Sequence, residues 1–289
     1  MAVWGLGVIN NVINWGRGAF NNLISWGIVQ KTSPAGDTEI YGTRQDADTT
    51  AFLTATGITD ATITSALDTL VVGLKADGIW SKMKAIYPFV GGTATTHSFN
   101  LVNTALHQIT WFGGLTHDAN GVTPNGTNGY GNLNLNPRTH LGSTPSFGTY
   151  CRVNNTASNK ADFGSSNNDG FGHFGFITSF GNTLYKHYVS TLTATNANTQ
   201  GMFHFGYNAS NNLFAYKNNT LLGTLAPPVL GTAPSENTAI FAYNAGGTAN
   251  SFSPRPSSFF FAGNGLTSTD NANLYLAVQK FQTTLSRQV

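Results

Sequence analysis

The stretch Gly201–Leu222, GMFHFGYNASNNLFAYKNNTLL, decides the fold of this 289-residue chain. Gly201–Tyr207 and Leu213–Lys217 are short runs rich in aromatic residues, and Asn218-Asn219 separates the second run from the apolar pair that follows. Aromatic residues favour strands, and two asparagines between apolar runs indicate a hairpin turn. The stretch therefore predicts short antiparallel β-strands.

The same pattern extends from Ile79 to about Ala262, where short runs of aromatic and β-branched residues alternate with clusters of Gly, Asn, Ser, Thr and Pro. Many short strands with regular turn signals are typical of an antiparallel β-sandwich or jelly roll, so the fold class is mainly β. The further predicted strands are Ala85–Val90, His97–Leu101, Phe171–Phe180, Leu184–Leu192, Ala239–Tyr243 and Ser258–Ala262.

Helices flank this β region on both sides. A short helix is predicted over Asp46–Thr56, and a longer one is capped by Thr59 and ends at Gly78. A C-terminal helix, 269–286, follows a cap at Thr267 or Ser268. The predicted organisation is an anchor segment over 1–30, a linker over 31–45, a helical collar over 46–78, and a sandwich domain with its C-terminal helix over 79–289.

The first residues contain a near-repeat of eleven, in which Trp4-Gly5-Leu6-Gly7 returns as Trp15-Gly16-Arg17-Gly18, and Trp26-Gly27 follows. Eleven residues is close to three helical turns, so the repeat predicts a one-sided apolar stripe that oligomerises and anchors the protein. An extended arm remains the alternative, because each glycine inside a helix costs about 1 kcal/mol relative to alanine. The predicted anchor residues are Trp4, Val8, Val12, Trp15, Phe20, Leu23 and Trp26.

Charged residues make up only 9% of the chain, against about 25% in typical globular proteins, and the net charge is +2. No basic run is present, which argues against nucleic acid as a partner. An uncharged polar surface suits permanent assembly or neutral ligands such as glycans. The single cysteine, the lack of a basic signal-peptide region and the lack of a long apolar run predict synthesis in a reducing cytosol without secretion.

The carboxylates do not form the pair that a glycoside hydrolase needs. The two glutamates are Glu39 in the predicted linker and Glu236 in a loop, while Asp118, Asp162 and Asp169 are isolated in predicted turns. Cys151 has no supporting motif and is expected to be a buried thiol in a strand. We therefore predict no catalytic residues and a protein that is not an enzyme.

Metal ligands are equally sparse. His173 and His204 have similar aromatic neighbours and would approach each other only if their strands paired, and two histidines are few for a metal site. The sequence Asp118-Ala119-Asn120-Gly121 begins like a calcium loop but has no distal acid, so it predicts a turn. No metal and no cofactor is expected.

One loop-dense stretch, Gly113 to Pro137, combines aromatic and amide side chains. Aromatic faces stack on sugars and amides hydrogen-bond to them, but the same groups also pack a long loop against its own fold or a neighbouring subunit. Both interpretations stay open. The candidate glycan contacts are Trp111, His117, Asn125, Asn128 and Tyr130.

Three stretches carry a family resemblance: WSKMKAIYPFVGG at Trp80–Gly92, PNGTNGY at Pro124–Tyr130, and GNGLT at Gly263–Thr267 together with VQKFQTTL at Val278–Leu285. They resemble a family of minor structural proteins of tailed bacteriophages. The three stretches together delimit roughly residues 57–289. The resemblance implies a virion component with a β-sandwich domain similar to that of the concanavalin A-like lectins and glucanases. Leu213–Thr220 looks like the strand-turn-strand of such sandwiches.

These observations predict a virion structural protein that assembles through its N-terminal segment with capsid or tail proteins and with copies of itself. Its sandwich would be displayed at the particle surface, where host glycans are possible partners. The alternative is a carbohydrate-binding adhesin or a degraded glycanase of the concanavalin A-like fold. A third interpretation, a membrane-surface helix at the N-terminus, is weakened by its single cation, Arg17.

Overall fold

The computed structural model describes residues 29–32, 38–41, 45–157, 159–167, 173–180, 183–187, 191–207, 212–225 and 233–289. Only backbone pairing is described for 29–41 and 173–191. The predicted anchor residues from Trp4 to Trp26 lie outside the described residues, as do Asp169 and the side chain of His173.

The described helices are α1 (Ala47–Thr56), α2 (Ala61–Ala76), α3 (Ala94–Ser98), α4 (Pro137–His140) and α5 (Ser268–Thr284), with a short 3₁₀ turn at Trp80–Lys82. The described strands are β1 (Val29–Thr32), β2 (Thr38–Tyr41), β3 (Met83–Tyr87), β4 (Thr110–Phe112), β5 (Leu115–Asp118), β6 (Gly121–Pro124), β7 (Tyr130–Asn132), β8 (Pro145–Cys151), β9 (Lys160–Ser166), β10 (His173–Phe180), β11 (Thr183–His187), β12 (Thr191–Thr195), β13 (Gly201–Tyr207), β14 (Leu213–Lys217), β15 (Thr220–Leu225), β16 (Ala239–Ile240), β17 (Tyr243–Ala245), β18 (Thr248–Asn250) and β19 (Ser257–Asn264).

Two sheets form a β-sandwich, as the sequence predicts. The front sheet has the order β12-β11-β10-β9-β16-β7-β4, with β17 and β18 attached beside β9. The back sheet has the order β15-β14-β13-β8-β19-β6-β5, with β3 also pairing with β19. Among the described strands, all pairs are antiparallel except the short parallel contact of β17 with β9 and the isolated bridge between Ala161 and Phe252. The long connections between distant strands give the jelly-roll character.

A first core fills the space between the sheets. Phe147 on β8 and Phe260 on β19 point into it from the back sheet, and Phe163 on β9 meets them from the front sheet. All three side chains are at most 1% exposed. Because strand side chains alternate between faces, the neighbours of these residues must point the other way.

A second core lies on the outer face of the back sheet. Phe259 and Phe261 of β19 point outward and pack with Leu70 of α2 and Leu274 of α5, and all four side chains are buried. The region 46–78, predicted as a separate helical collar, therefore shares its core with the sandwich. The result is three layers, in which the back sheet lies between helices and the front sheet.

The helix ends follow the capping signals, with small shifts in position. Asp60, rather than the predicted Thr59, accepts a hydrogen bond from the Ile63 N–H at 2.8 Å and begins α2. Thr267 caps α5 in a capping box with Asp270, as one of the two predicted candidates. Each cap satisfies backbone donors that have no partner within the helix.

Four predicted segments differ in the structure. Ala239–Tyr243, predicted as one strand, is divided between β16 and β17. His97–Leu101, predicted as a strand, begins inside α3, because Thr93 and Thr96 form a capping box that starts a helix there. Leu184–Leu192 is not one strand but parts of β11 and β12, which pair with each other. The predicted linker, 31–45, contains most of the β1–β2 pair.

The hairpin that decides the fold is confirmed. Lys217 pairs with Thr220 across the turn between β14 and β15. Asn218 adopts a φ of +54°, a left-handed conformation that asparagine tolerates better than most residues. Asn218 therefore supplies the turn geometry that the Asn218-Asn219 pair predicts.

The C-terminus is fixed by a buried cation. The Arg287 guanidinium donates to the carbonyl oxygens of Phe89 at 2.8 Å, Pro88 at 3.1 Å and Ser258 at 3.3 Å, and its side chain is 1% exposed. Burial lowers its pKa to about 9. The arginine thereby joins the end of α5 to β19 and to the segment after β3.

We expect the helices and the sandwich to unfold together, because they share the second core. Leu70→Ala removes a side chain that is 2% exposed and should lower the free energy of unfolding by about 2–5 kcal/mol. Urea unfolding followed by far-ultraviolet circular dichroism and by tryptophan fluorescence should give coincident, equally shifted curves.

Leu276→Ala is the matched control, because Leu276 lies on α5 but is 62% exposed, and its effect should stay within about 0.5 kcal/mol. A helix transition that separates from an unchanged sandwich transition would contradict the shared core.

Candidate glycan-contact surface

The candidate loop lies where the chain crosses twice from one sheet to the other. Gly113 and Gly114 lead from β4 to β5, and Asn125–Gly129 leads back from β6 to β7. The two crossings run side by side and are joined by the Asn125 N–H, which donates to the Gly114 carbonyl at 3.1 Å. We call this set of residues the asparagine corner.

Asn125 organises the corner from within. Its Oδ1 accepts from the N–H groups of Thr127, Asn128 and Gly129 at 3.0, 3.1 and 3.1 Å, and its Nδ2 donates to Asn128 Oδ1 at 2.7 Å. Asn128 Oδ1 also accepts from the Gly114 N–H at 3.1 Å. These two predicted contacts therefore hold the loop, and Asn128 is exposed to solvent.

Glycine is required where the crossings meet. Gly113 has a φ of +69°, and a Cβ atom there would collide with the Asn128 carbonyl. Any larger residue would push the two crossings apart. The close approach of the backbones thus depends on Gly113.

On the outer face of the front sheet, Phe112 and Tyr130 are cross-strand partners of β4 and β7. Their rings stack with centroids 4.8 Å apart and planes at 13°, and Phe112 remains 43% exposed. The Phe252 ring lies 6.0 Å from Tyr130 on the other side. We call Phe112, Tyr130 and Phe252 the aromatic platform.

A buried ion pair holds Phe252 in place. Arg255 Nε donates to Asp162 Oδ1 at 2.6 Å, and the Ser253 hydroxyl donates to the same oxygen at 2.7 Å. Arg255 is 1% exposed, so the pair fixes segment 251–256 against β9. Asp162, predicted in a turn, therefore lies in a strand as the partner of a buried arginine.

Trp111 and His117 face away from the platform. They form a ring cluster with Phe89 and His97, in which neighbouring ring centroids lie 4.9–6.1 Å apart. The Trp111 Nε1–H donates to the Ala94 carbonyl at 2.9 Å. Of the five predicted contacts, these two support the surface from beneath, the two asparagines shape its rim, and Tyr130 lies in the platform itself.

The two histidines of the ring cluster share one hydrogen bond, His97 Nδ1 to His117 Nδ1 at 3.0 Å. Burial, with smaller contributions from His117 and Arg287, lowers the pKa of His97 to about 3. Burial also lowers the pKa of His117, against the opposing charge of Asp118. The pair is therefore neutral at physiological pH.

The other candidate chemistry is not assembled. His204 lies on β13 of the back sheet and bonds through Nδ1 to Asn271 Oδ1 at 2.9 Å, whereas the strand of His173 is in the front sheet, so the two strands do not pair. Cys151 is buried in β8, as predicted, and burial raises its pKa to about 12. Among the described residues, no group of three or more metal-ligating side chains occurs. The part of the chain that the structure describes also has no helix long and apolar enough to cross a membrane.

Asp118 forms the predicted turn, since its carboxylate accepts from the Asn120 N–H at 2.7 Å. A separate open cleft of about 600 Å³ lies between the α1–α2 turn, Val90–Gly92 and residues 284–286. Its lining contains none of the predicted glycan contacts.

Comparison with known proteins identifies the fold class. No protein-family model matches the chain, and no curated protein is similar to it in sequence. Among solved structures, botulinum neurotoxin type C, whose cell entry is dependent upon interaction with two ganglioside molecules, is similar with a TM-score of 0.52 and 14% identity. That similarity covers 71% of this chain and 53% of the neurotoxin chain.

Two further structures are similar at lower scores. Domain 4 of AbnA, an extracellular arabinanase from Geobacillus stearothermophilus in complex with arabinotriose, has a TM-score of 0.48 and 13% identity, over 67% of this chain and 98% of that chain. The binding domain of botulinum neurotoxin DC in complex with rat synaptotagmin II has a TM-score of 0.47 and 16% identity, over 70% and 52% of the two chains. At these identities, the comparisons describe the fold as a β-sandwich and go no further.

Asn125→Ala should lower the free energy of unfolding by about 1 kcal/mol, because three backbone N–H groups lose their acceptor and turn to water. Urea unfolding measures the change. The control is Asn120→Ala, an exposed asparagine of the neighbouring turn, which should stay near wild type. Equal effects of the two substitutions would contradict the organising role of Asn125.

Acid should lower the free energy of unfolding through His97 in the ring cluster. The unfolded chain protonates His97 near pH 6.5, whereas the folded protein does so only near pH 3, so the unfolded state binds more protons between these values. Stability therefore falls as the pH drops through this window. His97→Phe should flatten the dependence by up to about 1.4 kcal/mol per pH unit, measured by urea unfolding from pH 8 to 4. Parallel curves for variant and wild type would contradict this.

Proposed function

We propose that this protein binds glycans through the aromatic platform and does not hydrolyse them. The observation that carries the proposal is the exposed Phe112 ring, stacked on Tyr130 at the rim of the front sheet. An exposed planar apolar face can cover the C–H face of a sugar ring and remove it from water.

Polar groups beside the platform match the hydroxyl groups of a sugar. The amide of Asn128 and the hydroxyls of Thr127 and Tyr130 belong to this surface and supply both donors and acceptors. An aromatic face bordered by a few placed polar groups is the usual composition of a small-molecule site. An open surface of this size implies a low affinity at each site. Several copies of the protein acting together would raise the overall affinity.

The architecture favours this rim over the opposite side of the sandwich. The outer face of the back sheet is covered by α2 and α5, so its central strands present no open surface to a ligand. Botulinum neurotoxin type C, which shares the fold, enters cells through an interaction with two ganglioside molecules, and gangliosides carry sugars. This similarity supports glycan binding and does not specify the site.

Phe112→Ala should weaken glycan binding roughly three- to tenfold, because the substitution removes the stacking face. A glycan array followed by calorimetry on the strongest ligand measures this effect. Leu221→Ala is the matched control, since Leu221 is 47% exposed on β15 and lies away from the platform. Equal losses in both variants, or none in either, would contradict the proposed site. Release of reducing sugar from the bound glycan would contradict the absence of turnover.

A second candidate role is membership of a phage particle. It is favoured by the three stretches that resemble minor structural proteins of tailed phages and by the tryptophan repeat at the N-terminus. In this proposal, the N-terminal segment attaches the protein to capsid or tail partners and to its own copies, and the sandwich is displayed for host glycans. The protein would then be located in the virion.

Replacing Trp4, Trp15 and Trp26 together by alanine tests this attachment. Aromatic anchors usually dominate the energy of protein interfaces, so incorporation into particles should be lost while the sandwich remains folded. Quantitative mass spectrometry of purified particles measures the copy number. Normal incorporation of the triple variant would show that the segment is not the anchor.

A further inference from the structure

A cation, Lys160, borders the aromatic platform. Lys160 begins β9, and its Nζ donates to the Gly126 carbonyl of the asparagine corner at 3.1 Å. Its neighbour Ala161 forms a bridge with Phe252, the third ring of the platform. The lysine is therefore fixed between the corner and the platform and remains partly exposed.

The charge of Lys160 is not neutralised within the described residues. Within the part of the chain that the structure describes, its ammonium group donates to the Gly126 carbonyl and takes part in no salt bridge. Of the acidic residues on the adjoining strands, Asp162 is buried against Arg255. Asp118 lies three residues beyond Leu115 on β5, on the order of 10 Å further along the strand from the corner.

We infer that the platform selects glycans that carry an anionic sugar residue, with Lys160 as the group that binds the anion; this inference rests on the proposed function. The ring faces of Phe112 and Tyr130 take the sugar, and the ammonium group of Lys160 pairs with a carboxylate or sulfate beside it. Lysine acts as a point charge with several donors, so it accepts either anion. Charged residues make up only 9% of the chain, so one ammonium group beside the platform is enough to set a preference for an anionic sugar.

The test is a glycan array that carries matched neutral and acidic forms of the same oligosaccharides, with separate sialylated, uronic-acid and sulfated members. The full chain should bind acidic members about two- to fivefold more tightly than their neutral partners, which is the range for one exposed ion pair. The preference should shrink as salt is raised, since exposed charges are screened. The separate members show whether the anion is a carboxylate or a sulfate.

Lys160→Gln should remove the preference and leave binding to neutral members, while Lys160→Arg should keep it. Lys84→Gln is the matched control, because it removes one exposed charge from β3 of the back sheet and should preserve the preference. Equal or stronger binding of neutral members by the wild type, or a preference that survives Lys160→Gln, overturns the inference and leaves glycan binding intact. Failure to bind any member overturns the proposed function and this inference with it.

Discussion

The structure depends on the burial of the back sheet on both faces. β19 shows this most directly, because Phe260 points to the front sheet while Phe259 and Phe261 point to the helices, and none of the three is exposed. Gly148 on the adjacent β8 leaves the space that the Phe261 ring fills. An outer face with this much aromatic surface cannot remain in water, so α2 and α5 must cover it.

That coverage leaves the front sheet as the broad face open to solvent, where we propose that glycans bind. Because one broad face of the sandwich is occupied by helices, the exposed aromatic surface of the glycan-contact region lies at the rim where β4 and β7 meet. The asparagine corner fixes the loop beside it, and the Asp162–Arg255 pair fixes Phe252 behind it. The platform is therefore held on two sides before any ligand arrives, which limits the ordering cost of binding.

Local signals in the sequence predicted the local structure. Asn218-Asn219 marked the hairpin, Thr267 marked the start of α5, and the aromatic runs marked the central strands. The same signals do not show which side chains of β4 face outward. Trp111 is predicted as a contact, whereas Phe112, the cross-strand partner of Tyr130, takes the exposed face. Arg255 and Asp162 pair across 93 residues, a distance at which no local motif operates.

We propose that glycans bind at the aromatic platform and not elsewhere on the sandwich. Hydrogen–deuterium exchange with and without a bound glycan distinguishes these locations, because a ligand slows exchange of the backbone that it orders. Binding at the platform should protect peptides covering 110–132 and 250–254 and leave the helices unchanged. Protection confined to 57–63 and 284–286, the residues that line the open cleft, would contradict it.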